Sequence, residues 1–203
     1  MSEQPTWSDY YAANADREPR DMLLNTLDSF ATPGEAVDLG CGAGIDTVAA
    51  LERGWRVLAT DAEEEAIALL RQRLPPSLVP RLRTRVARME DLELPEVDLV
   101  WAGFSLFFCR PDRFYDVWTK IRRAIVPGGR FAGQILEDRD SWASDEGISS
   151  FRRAQAESLF DGWVVERFEE EEDDGEACSG PKHWHVFHVA AHPPGNSGLA
   201  APG

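Results

Sequence analysis

The stretch that decides the fold is a short apolar run followed by three alternating glycines, Val37-Asp38-Leu39-Gly40-Cys41-Gly42-Ala43-Gly44. The run before the glycines predicts a buried strand, and apolar residues at helical spacing from Ile45 predict a helix that ends near Gly54. Glycines between a strand and a helix permit a tight turn, and the free N–H groups of the helix N-terminus can face a ligand. The stretch therefore predicts a unit of strand, turn and helix with a binding site at the turn.

The same alternation continues on both sides of the glycine turn. Apolar spacing predicts a first helix over residues 20–30 and a helix at residues 62–74, and Pro111 opens a further helix. Short runs rich in apolar or β-branched residues predict the remaining parallel strands, at residues 56–60, 81–86, 97–102 and 130–136. Strands that alternate with helices in this way indicate a parallel sheet covered by helices on both faces.

The pattern changes after residue 150. A helix is predicted at residues 151–160, and strands at residues 162–168 and 182–191 are predicted to form an antiparallel hairpin. Residues 169–176, which contain seven acids and no base, are predicted to be the hairpin turn. The predicted fold class is therefore α/β, a doubly wound, mostly parallel seven-stranded sheet with a C-terminal antiparallel hairpin.

Length predicts one domain. A chain of 203 residues fits a single core, and we assign residues 1–192 to it, with residues 1–31 forming an N-terminal lid and helix. Residues 193–203 are rich in proline, glycine, serine and alanine and are predicted to be a disordered tail.

Charge and cysteine content exclude several classes of function. The formal net charge is −15, so the surface would repel nucleic-acid phosphates and anionic lipids. No apolar stretch reaches the ~20 residues that a membrane span needs, and no export signal is visible at the start. The three cysteines are scattered and odd in number, which favours a reducing compartment and predicts a cytoplasmic protein. The sequence gives no indication of an oligomeric state.

Two acids near the glycine turn indicate the ligand. Asp61 ends the second strand about 20 residues after Gly40, where a carboxylate accepts hydrogen bonds from ribose hydroxyls. A nicotinamide dinucleotide is the first candidate, but its GxGxxG pattern would need a glycine at Ile45. Asp38 would repel a pyrophosphate and suits a ligand that carries an ammonium group. The pattern therefore favours S-adenosylmethionine over a dinucleotide.

Taken together, these segments resemble the class I S-adenosylmethionine-dependent methyltransferases, and the resemblance covers residues 7–192. Within that superfamily the chain is similar to the small bacterial branch related to the tellurite-resistance methyltransferases. The resemblance is carried by the glycine turn, by residues 54–61, by Pro127-Gly128-Gly129 and by Lys182-His183-Trp184-His185. It implies S-adenosylmethionine as cofactor and S-adenosylhomocysteine as product.

The resemblance also implies roles for individual residues around the cofactor. Asp38, Gly40 and Gly42 would line its methionine portion, with Cys41 packed in the same turn, and Asp61 would hold its ribose. The adenine end would be formed by Ala62, Met89 and Glu90, with Ala102 contributing main-chain contact. One departure is Arg88, which stands where many relatives have an acid.

The N-terminal segment resembles the lid of this family. Its aromatic residues, Trp7, Tyr10 and Tyr11, could cover a sulfonium through cation–π attraction. Arg17 and Arg20 could bind the carboxylate of the cofactor. The alternative is that the rings only pack the first helix against the domain.

Candidate acceptor residues follow the fourth and fifth strands. We predict that Phe104, Phe108, Gln134, Asp138 and Trp142 bind the substrate, although the apolar ones could equally belong to the core. His183 and His185 are two apart on a strand, share a face and are predicted at the site edge, so they are the candidate general bases. A metal held by these histidines with Cys178 or an acid is a weaker interpretation, because their spacing matches no recognised ligand pattern. We therefore predict no metal.

The sequence thus predicts a cytoplasmic S-adenosylmethionine-dependent methyltransferase for a small-molecule acceptor with an oxygen, nitrogen, sulfur or other chalcogen nucleophile. No nucleic-acid or membrane partner is expected. Two other classes stay open, since fold alone does not define function. One is an S-adenosylmethionine-binding protein with a regulatory or non-methyl-transfer role. The other is an NAD-dependent oxidoreductase.

Overall fold

The computed structural model of the chain describes residues 6–195 and contains eight strands and six α-helices in that range. The strands are β1 Glu35–Leu39, β2 Arg56–Asp61, β3 Leu82–Val86, β4 Val97–Ala102, β5 Ile125–Glu137, β6 Ser150–Phe151, β7 Val164–Ala177 and β8 Gly180–His192. The helices are α1 Trp7–Ala13, α2 Asp21–Asp28, α3 Ile45–Glu52, α4 Glu64–Arg73, α5 Phe114–Ala124 and α6 Arg153–Ser158. Short 3₁₀ turns occur at Val79–Arg81, Met89–Asp91 and Leu106–Phe108.

The strands form one sheet in the order β3-β2-β1-β4-β5-β8-β7, and the two-residue β6 pairs beside β5. Strands β1 to β5 pair in parallel, whereas β8 is antiparallel to both β5 and β7. The predicted doubly wound sheet with a C-terminal hairpin is confirmed, and β6 is an eighth strand that two residues were too few to predict. Strand β3 lies at the edge of the sheet opposite β7.

The central strands and the helices bury apolar residues on both faces of the sheet. Val37 and Val100, on neighbouring central strands, have no exposed surface. Helix α5 places Phe114, Val117 and Ile121 against one face, and Leu23 of α2 packs against the other. Because both faces of the sheet are covered, β1 and β4 are apolar along most of their length.

The prediction of an acidic turn at residues 169–176 is wrong. Those residues belong to β7, which runs continuously over Val164–Ala177 and pairs with β8 up to Ala177 and Gly180. The turn is formed by Cys178 and Ser179. The acids tolerate an extended conformation because β7 lies at the sheet edge, where their carboxylates stay solvated and the charge opposes pairing with another strand.

Parts of two predicted segments lie outside the described residues. They are residues 1–5 of the predicted lid and residues 196–203 of the predicted tail, while residues 193–195 have no regular structure. Within residues 6–195, every helix is too short or too polar to cross a membrane.

Candidate active site

A cavity of about 250 Å³ opens at the carboxyl ends of the parallel strands, between the glycine turn and helix α1. This is the edge at which ligands bind in doubly wound sheets. Ten of the eleven residues predicted to bind the cofactor line it: Tyr11, Arg20, Asp38, Gly40, Cys41, Gly42, Asp61, Ala62, Met89 and Glu90. Ala102 is fully buried in β4 and is not among the lining residues. Its neighbour Gly103 lines the cavity instead.

The glycine turn has a backbone that other residues would strain. Gly40 and Gly42 have φ values of 72° and 53°, in the left-handed region that glycine occupies freely. A Cβ atom on Gly40 would lie 2.5 Å from Cβ of Ser105, so a side chain there would collide with the loop after β4. The N–H groups of Gly40 and Cys41 both donate to the carbonyl of Thr60, at 2.9 Å each. The turn is thus tied to the end of β2.

Asp38 is a buried acid beside this turn. Its side chain accepts a hydrogen bond from Thr47 Oγ1 at 2.6 Å and is 4% exposed. Burial, reinforced by the nearby Asp46 and Asp61 and opposed by the Thr47 hydrogen bond, raises the pKa of Asp38 to about 7. Within residues 6–195 Asp38 forms no salt bridge, and an ammonium group in the cavity would supply a cationic partner.

Asp61 anchors the other side of the turn. Its Oδ2 accepts from the N–H of Gly42 at 2.9 Å, and its Oδ1 accepts from the N–H of Glu63 at 3.0 Å. Burial raises the pKa of Asp61, and these two backbone hydrogen bonds oppose the rise. The Asp61 carboxylate lines the cavity, where it would offer an acceptor to a ribose ligand.

The segment between α1 and α2 is held down by Asp46, a residue that the sequence analysis missed. Arg17 donates to both carboxylate oxygens, at 3.0 and 2.9 Å, and Arg20 Nη1 donates to Oδ2 at 2.9 Å. Burial alone would raise the pKa of Asp46, but the two arginines outweigh it and hold that pKa below its usual value. The missed signal was an acid in the first turn of the helix that follows the glycines.

Aromatic rings close the cavity above the turn. Trp7 meets Phe108 edge-on with ring centroids 5.0 Å apart, and it stacks near Tyr11 at 6.4 Å. Tyr11 is 4% exposed and lies 3.8 Å from the position of a Cβ on Gly42. The lid helix therefore packs its rings onto both the glycine turn and the loop after β4.

The predicted adenine end is built around Glu90. Its Oε1 accepts from the N–H of Arg110 at 3.0 Å and from Arg88 Nη2 at 3.2 Å. Burial raises the pKa of Glu90. Those hydrogen bonds and the charge of Arg88 lower it by more, so the net pKa shift is downward. Arg88, which departs from the pattern of many relatives, thus serves as the ion-pair partner of Glu90.

The predicted acceptor residues are placed at different depths. Phe104 and Phe108 line the cavity. Gln134 is 1% exposed and bonds to the backbone of Phe104 from behind, so it does not line the cavity. Trp142 packs on Phe108 with centroids 6.0 Å apart, one layer further out. Asp138 is exposed, pairs with Arg152 at 2.9 Å and does not line the cavity, so its substrate-binding role stays a prediction that this geometry does not favour.

The two candidate histidines share a face of β8, as predicted, but it is the wrong face. His185 is fully buried with Nε2 2.7 Å from Glu170, and His183 lies 2.7 Å from Asp174. The residues of β8 that adjoin the cavity wall are on the opposite face, where Trp184 and His188 lie within 5.9 and 6.1 Å of the Phe104 ring. The catalytic role of His183 and His185 stays a prediction that this geometry does not favour.

A cluster around His185 resembles a metal site in composition. Glu170, Glu172 and His185 bring three potential ligand atoms within 4.8 Å of one another. The guanidinium of Arg139 lies among them, 3.2 Å from Glu172 and 3.7 Å from Glu170, and Arg153 pairs with Glu170 at 2.6 Å. Arginine side chains thus supply the positive charge of the cluster, and we assign no metal to it.

Comparisons with known proteins agree with this geometry. Residues 37–133 match the family model described as a methyltransferase domain. A curated relative, magnesium-protoporphyrin O-methyltransferase from Rhodobacter capsulatus, is 37% identical over 109 residues, which are 52% of this chain and 49% of the relative. The match thus spans about half the length of that relative.

Solved structures share the fold. TehB from Haemophilus influenzae superposes with a TM-score of 0.76 at 14% identity, covering 93% of this chain and 68% of that one. The 1,6-didemethyltoxoflavin-N1-methyltransferase of Burkholderia thailandensis, solved with S-adenosylhomocysteine, gives a TM-score of 0.69 at 21% identity and covers 91% and 83% of the two chains.

The fold, the glycine turn and these matches support one class, the class I S-adenosylmethionine-dependent methyltransferases, and residues 37–133, just under half of the chain, match a methyltransferase domain. Its central segment carries the methyltransferase domain of that class, whose cofactor is S-adenosylmethionine. The predicted superfamily and cofactor are therefore confirmed. The narrower tellurite-resistance branch stays a prediction, because identities of 14 to 21% with solved structures show the fold alone.

Proposed function

We propose that the protein transfers a methyl group from S-adenosylmethionine to a small-molecule acceptor and releases S-adenosylhomocysteine. The observation that carries this proposal is the buried Asp38 carboxyl, with its pKa of about 7, in a cavity whose floor is the glycine turn. An ammonium group of the cofactor would complete the charge balance there, whereas the pyrophosphate of a dinucleotide would be repelled. This contrast favours a methyltransferase over the NAD-dependent alternative.

Different side chains of the site would bind different parts of the cofactor. Asp38 would hold the amino group, Asp61 the ribose hydroxyls, and Ala62, Met89 and Glu90 would surround the adenine. When bound, the cofactor supplies an electrophilic methyl group on a sulfonium sulfur. The protein's contribution is then to align the acceptor and to exclude water, as the aromatic lid around Trp7 is placed to do.

A small acceptor fits the walls of the site. Phe104, Phe108 and Trp7 offer apolar ring surface at the cavity, which suits an organic molecule with a planar or apolar part. Two of the similar proteins carry names that state small acceptors, a magnesium protoporphyrin and a didemethyltoxoflavin. A net charge of −15 disfavours nucleic acid as the acceptor.

The lining residues also limit the chemistry of the nucleophile. Within the described part of the chain no histidine lines the cavity, and its titratable groups are carboxylates, arginines, Cys41 and two tyrosines. Burial and nearby acids raise the pKa of Tyr11, which makes it a poor base at neutral pH. An acceptor that is already nucleophilic, such as a thiolate, a chalcogen anion, a carboxylate or a weakly basic amine, suits such a site best.

Calorimetry with S-adenosylhomocysteine and with NAD tests the cofactor. We expect binding of S-adenosylhomocysteine at one site per chain and none of NAD, and binding of NAD alone would refute the proposal. Transfer of isotope-labelled methyl from S-adenosylmethionine to a panel of thiol, carboxylate and heteroaromatic acceptors then tests catalysis. Tight cofactor binding without transfer to any of them would favour the regulatory alternative.

We place this activity in the cytoplasm. All three cysteines are free in the structure, and the two that lie in the core, Cys41 and Cys109, are buried without a disulfide partner. Free thiols are typical of a reducing compartment.

A further inference from the structure

Gln134 on β5 connects the cavity wall to β8. Its Oε1 accepts a hydrogen bond from the N–H of Phe104 at 2.8 Å. Its Nε2 lies 3.2 Å from Nδ1 of His188 and 3.4 Å from Sδ of Met22. The side chain is 1% exposed, so these neighbours provide all of its hydrogen bonds. A buried amide with every group satisfied has a single orientation.

The backbone conformation of Phe104 depends on its hydrogen bond to Gln134. Among the described residues it is the only non-glycine residue with positive φ, at 54°. This left-handed conformation is costly for an aromatic residue and persists only where surrounding contacts impose it. Here the contacts are the Gln134 hydrogen bond on the backbone and the Arg20 guanidinium 4.8 Å from the ring centroid. The conformation turns the ring into the cavity wall.

The amide orientation fixes the protonation of His188. Because the N–H of Phe104 requires an acceptor, Oε1 must face Phe104 and the NH₂ group must face His188. Nδ1 of His188 therefore has to be an unprotonated acceptor, and the ring proton sits on Nε2, 2.7 Å from Oε2 of Glu171. The pair of hydrogen bonds on Gln134 is complete only while the imidazole is neutral.

Protonation of His188 breaks this arrangement. An imidazolium carries a proton on Nδ1, which would face the NH₂ group of Gln134, donor against donor. Flipping the amide would satisfy His188, but it would turn the NH₂ group towards the N–H of Phe104 and leave that donor without a partner. If the amide keeps its orientation, its contact with His188 becomes repulsive, and if it flips, the hydrogen bond that holds Phe104 in its left-handed conformation is lost, so only the neutral imidazole satisfies both contacts.

We propose that Gln134 is a positioning residue that shapes the cofactor cavity through Phe104, and that it does so only while His188 is neutral. The inference extends the proposed function. Its consequence for cofactor affinity rests on that function. It also gives the acidic strand β7 a role in the site, since Glu171 holds the His188 tautomer from that strand.

The charged groups around His188 come from three directions. Glu171 and Glu169 lie on β7, where Glu169 is the register partner of His188 and itself pairs with Arg167 at 2.6 Å. On β5 the facing residue is the uncharged Gln134. Arg20 lies beyond the Phe104 ring. The β7 acids and the Gln134 amide thus face His188 from the two strands that flank β8.

Nuclear magnetic resonance of the ligand-free protein tests the link from His188 through Gln134 to Phe104 without any cofactor. We expect long-range ¹H–¹⁵N spectra to show the Nε2–H tautomer of His188 at high pH, and the Phe104 amide shift to titrate together with that ring. In His188→Asn, whose amide oxygen can accept from Gln134, the Phe104 titration should disappear while the shift keeps its high-pH value. A Nδ1–H tautomer, or a Phe104 amide that ignores the His188 titration, would overturn the inference.

Calorimetry with S-adenosylhomocysteine at pH 5.5 and pH 8 tests the effect on the cavity. Losing one buried hydrogen bond should weaken binding about fivefold to tenfold, so we expect the parent to bind more weakly at low pH than His188→Asn does. Gln134→Glu offers carboxylate oxygens to both Phe104 and a protonated His188. The affinity of this variant relative to that of the parent should therefore be higher at pH 5.5 than at pH 8. The control His192→Asn, on the same strand with its ring bonded to Pro193, should follow the parent.

The two proposals fail differently. If the parent binds no S-adenosylhomocysteine at any pH, the proposed function is refuted while the resonance experiment still decides the role of Gln134. If the ligand binds but the pH dependence is the same in the parent, His188→Asn and Gln134→Glu, the positioning role is refuted and the proposed function stands.

Discussion

Asp38 shows at the scale of one residue how a binding site costs stability. Its pKa of about 7 in the folded protein lies above the ordinary 3.8, so between about pH 4 and pH 7 the folded state binds more protons than the unfolded state. Stability therefore falls as pH rises through this window, and the full penalty is present above pH 7. A residue that served only the fold would not be an acid at this position.

We accordingly predict opposite effects of Asp38→Asn on stability and on binding. At pH 8 the free energy of unfolding should rise by roughly 1 to 3 kcal/mol, and the gain should vanish near pH 4. Affinity for S-adenosylhomocysteine should fall at least about tenfold, because the ammonium loses its carboxylate. Urea unfolding at the two pH values and calorimetry measure both.

Asp28→Asn, which removes an exposed carboxylate, is the control and should change neither quantity. A variant that is less stable than the parent at pH 8 would contradict this account of Asp38.

Asp61 combines two tasks that substitutions can separate. Asp61→Ala removes the acceptor of the Gly42 and Glu63 N–H groups as well as the proposed ribose contact. We predict a loss of S-adenosylhomocysteine affinity of about tenfold to a hundredfold and a loss of stability of about 1 to 2 kcal/mol. Asp61→Asn keeps one oxygen for the backbone and should recover part of the stability but little of the affinity.

The readouts are calorimetry and urea unfolding, with Asp116→Ala as the surface control. Affinity unchanged in Asp61→Ala would move the ribose site elsewhere in the cavity.

At the scale of an element, one buried carboxylate on α3 holds the segment between α1 and α2 by ion pairs. Arg17 and Arg20 both pair with Asp46, which is 5% exposed in its side chain, and Trp101 Nε1 donates to the same group at 3.3 Å. The ion pairs that hold this segment thus converge on one side chain in the first turn of the helix after the glycines.

Asp46→Asn should release that segment. We predict that trypsin cuts after Arg17 and Arg20 several times faster than in the parent, and that S-adenosylhomocysteine affinity falls, since loss of a partner from a buried ion pair costs several kcal/mol. Mass spectrometry of the first fragments identifies the sites. Asp28→Asn, which breaks an exposed pair with Arg53 at 3.5 Å, is the matched control, and equal cleavage rates in both variants would contradict the role of Asp46.

Elements differ in how far the sequence predicts them. The alternation around the glycine turn determines β1, α3 and β2 locally, because each segment has its own period and its own breaker. The hairpin of β7 and β8 is harder to predict from the sequence, because a run of acids is typical of a loop. Only the position of β7 at the sheet edge makes a strand acceptable there. The alternation of side chains along a strand predicts that His183 and His185 share a face. Which face of β8 meets the cavity depends on how β8 pairs with β5.

The site shows the same division. Asp38 and Asp61 were predictable because strand ends place them at the turn, whatever the distant packing. Gln134 could be identified as polar in a buried strand, yet its task depends on the left-handed backbone of Phe104, 30 positions away, which no local pattern signals. Asp46 pairs with arginines 26 and 29 positions earlier, and such contacts appear only in three dimensions.

At the scale of the whole molecule, charge is concentrated at one edge. Residues 169–176 contribute seven of the 15 net negative charges, and β7 displays them on an exposed edge strand. We predict that the melting temperature rises by several degrees between about 20 and 500 mM NaCl, because salt screens the repulsion within β7. The double variant Asp173→Asn/Glu176→Gln should show a smaller rise.

Asp112→Asn/Asp116→Asn, at carboxylates that pair with Arg110 and Arg113, removes the same charge and should not reduce the rise. A melting temperature that salt leaves unchanged in the parent would show that the repulsion within β7 is negligible.

The two-residue turn between β7 and β8 has a practical consequence. It carries Cys178, which is exposed, whereas Cys41 and Cys109 are buried and burial raises the pKa of both thiols. Maleimide reagents, which react with accessible thiolates, should therefore attach at Cys178 alone in the folded protein. A single dye or surface linkage can be introduced at the tip of the hairpin through a natural side chain, without an engineered substitution.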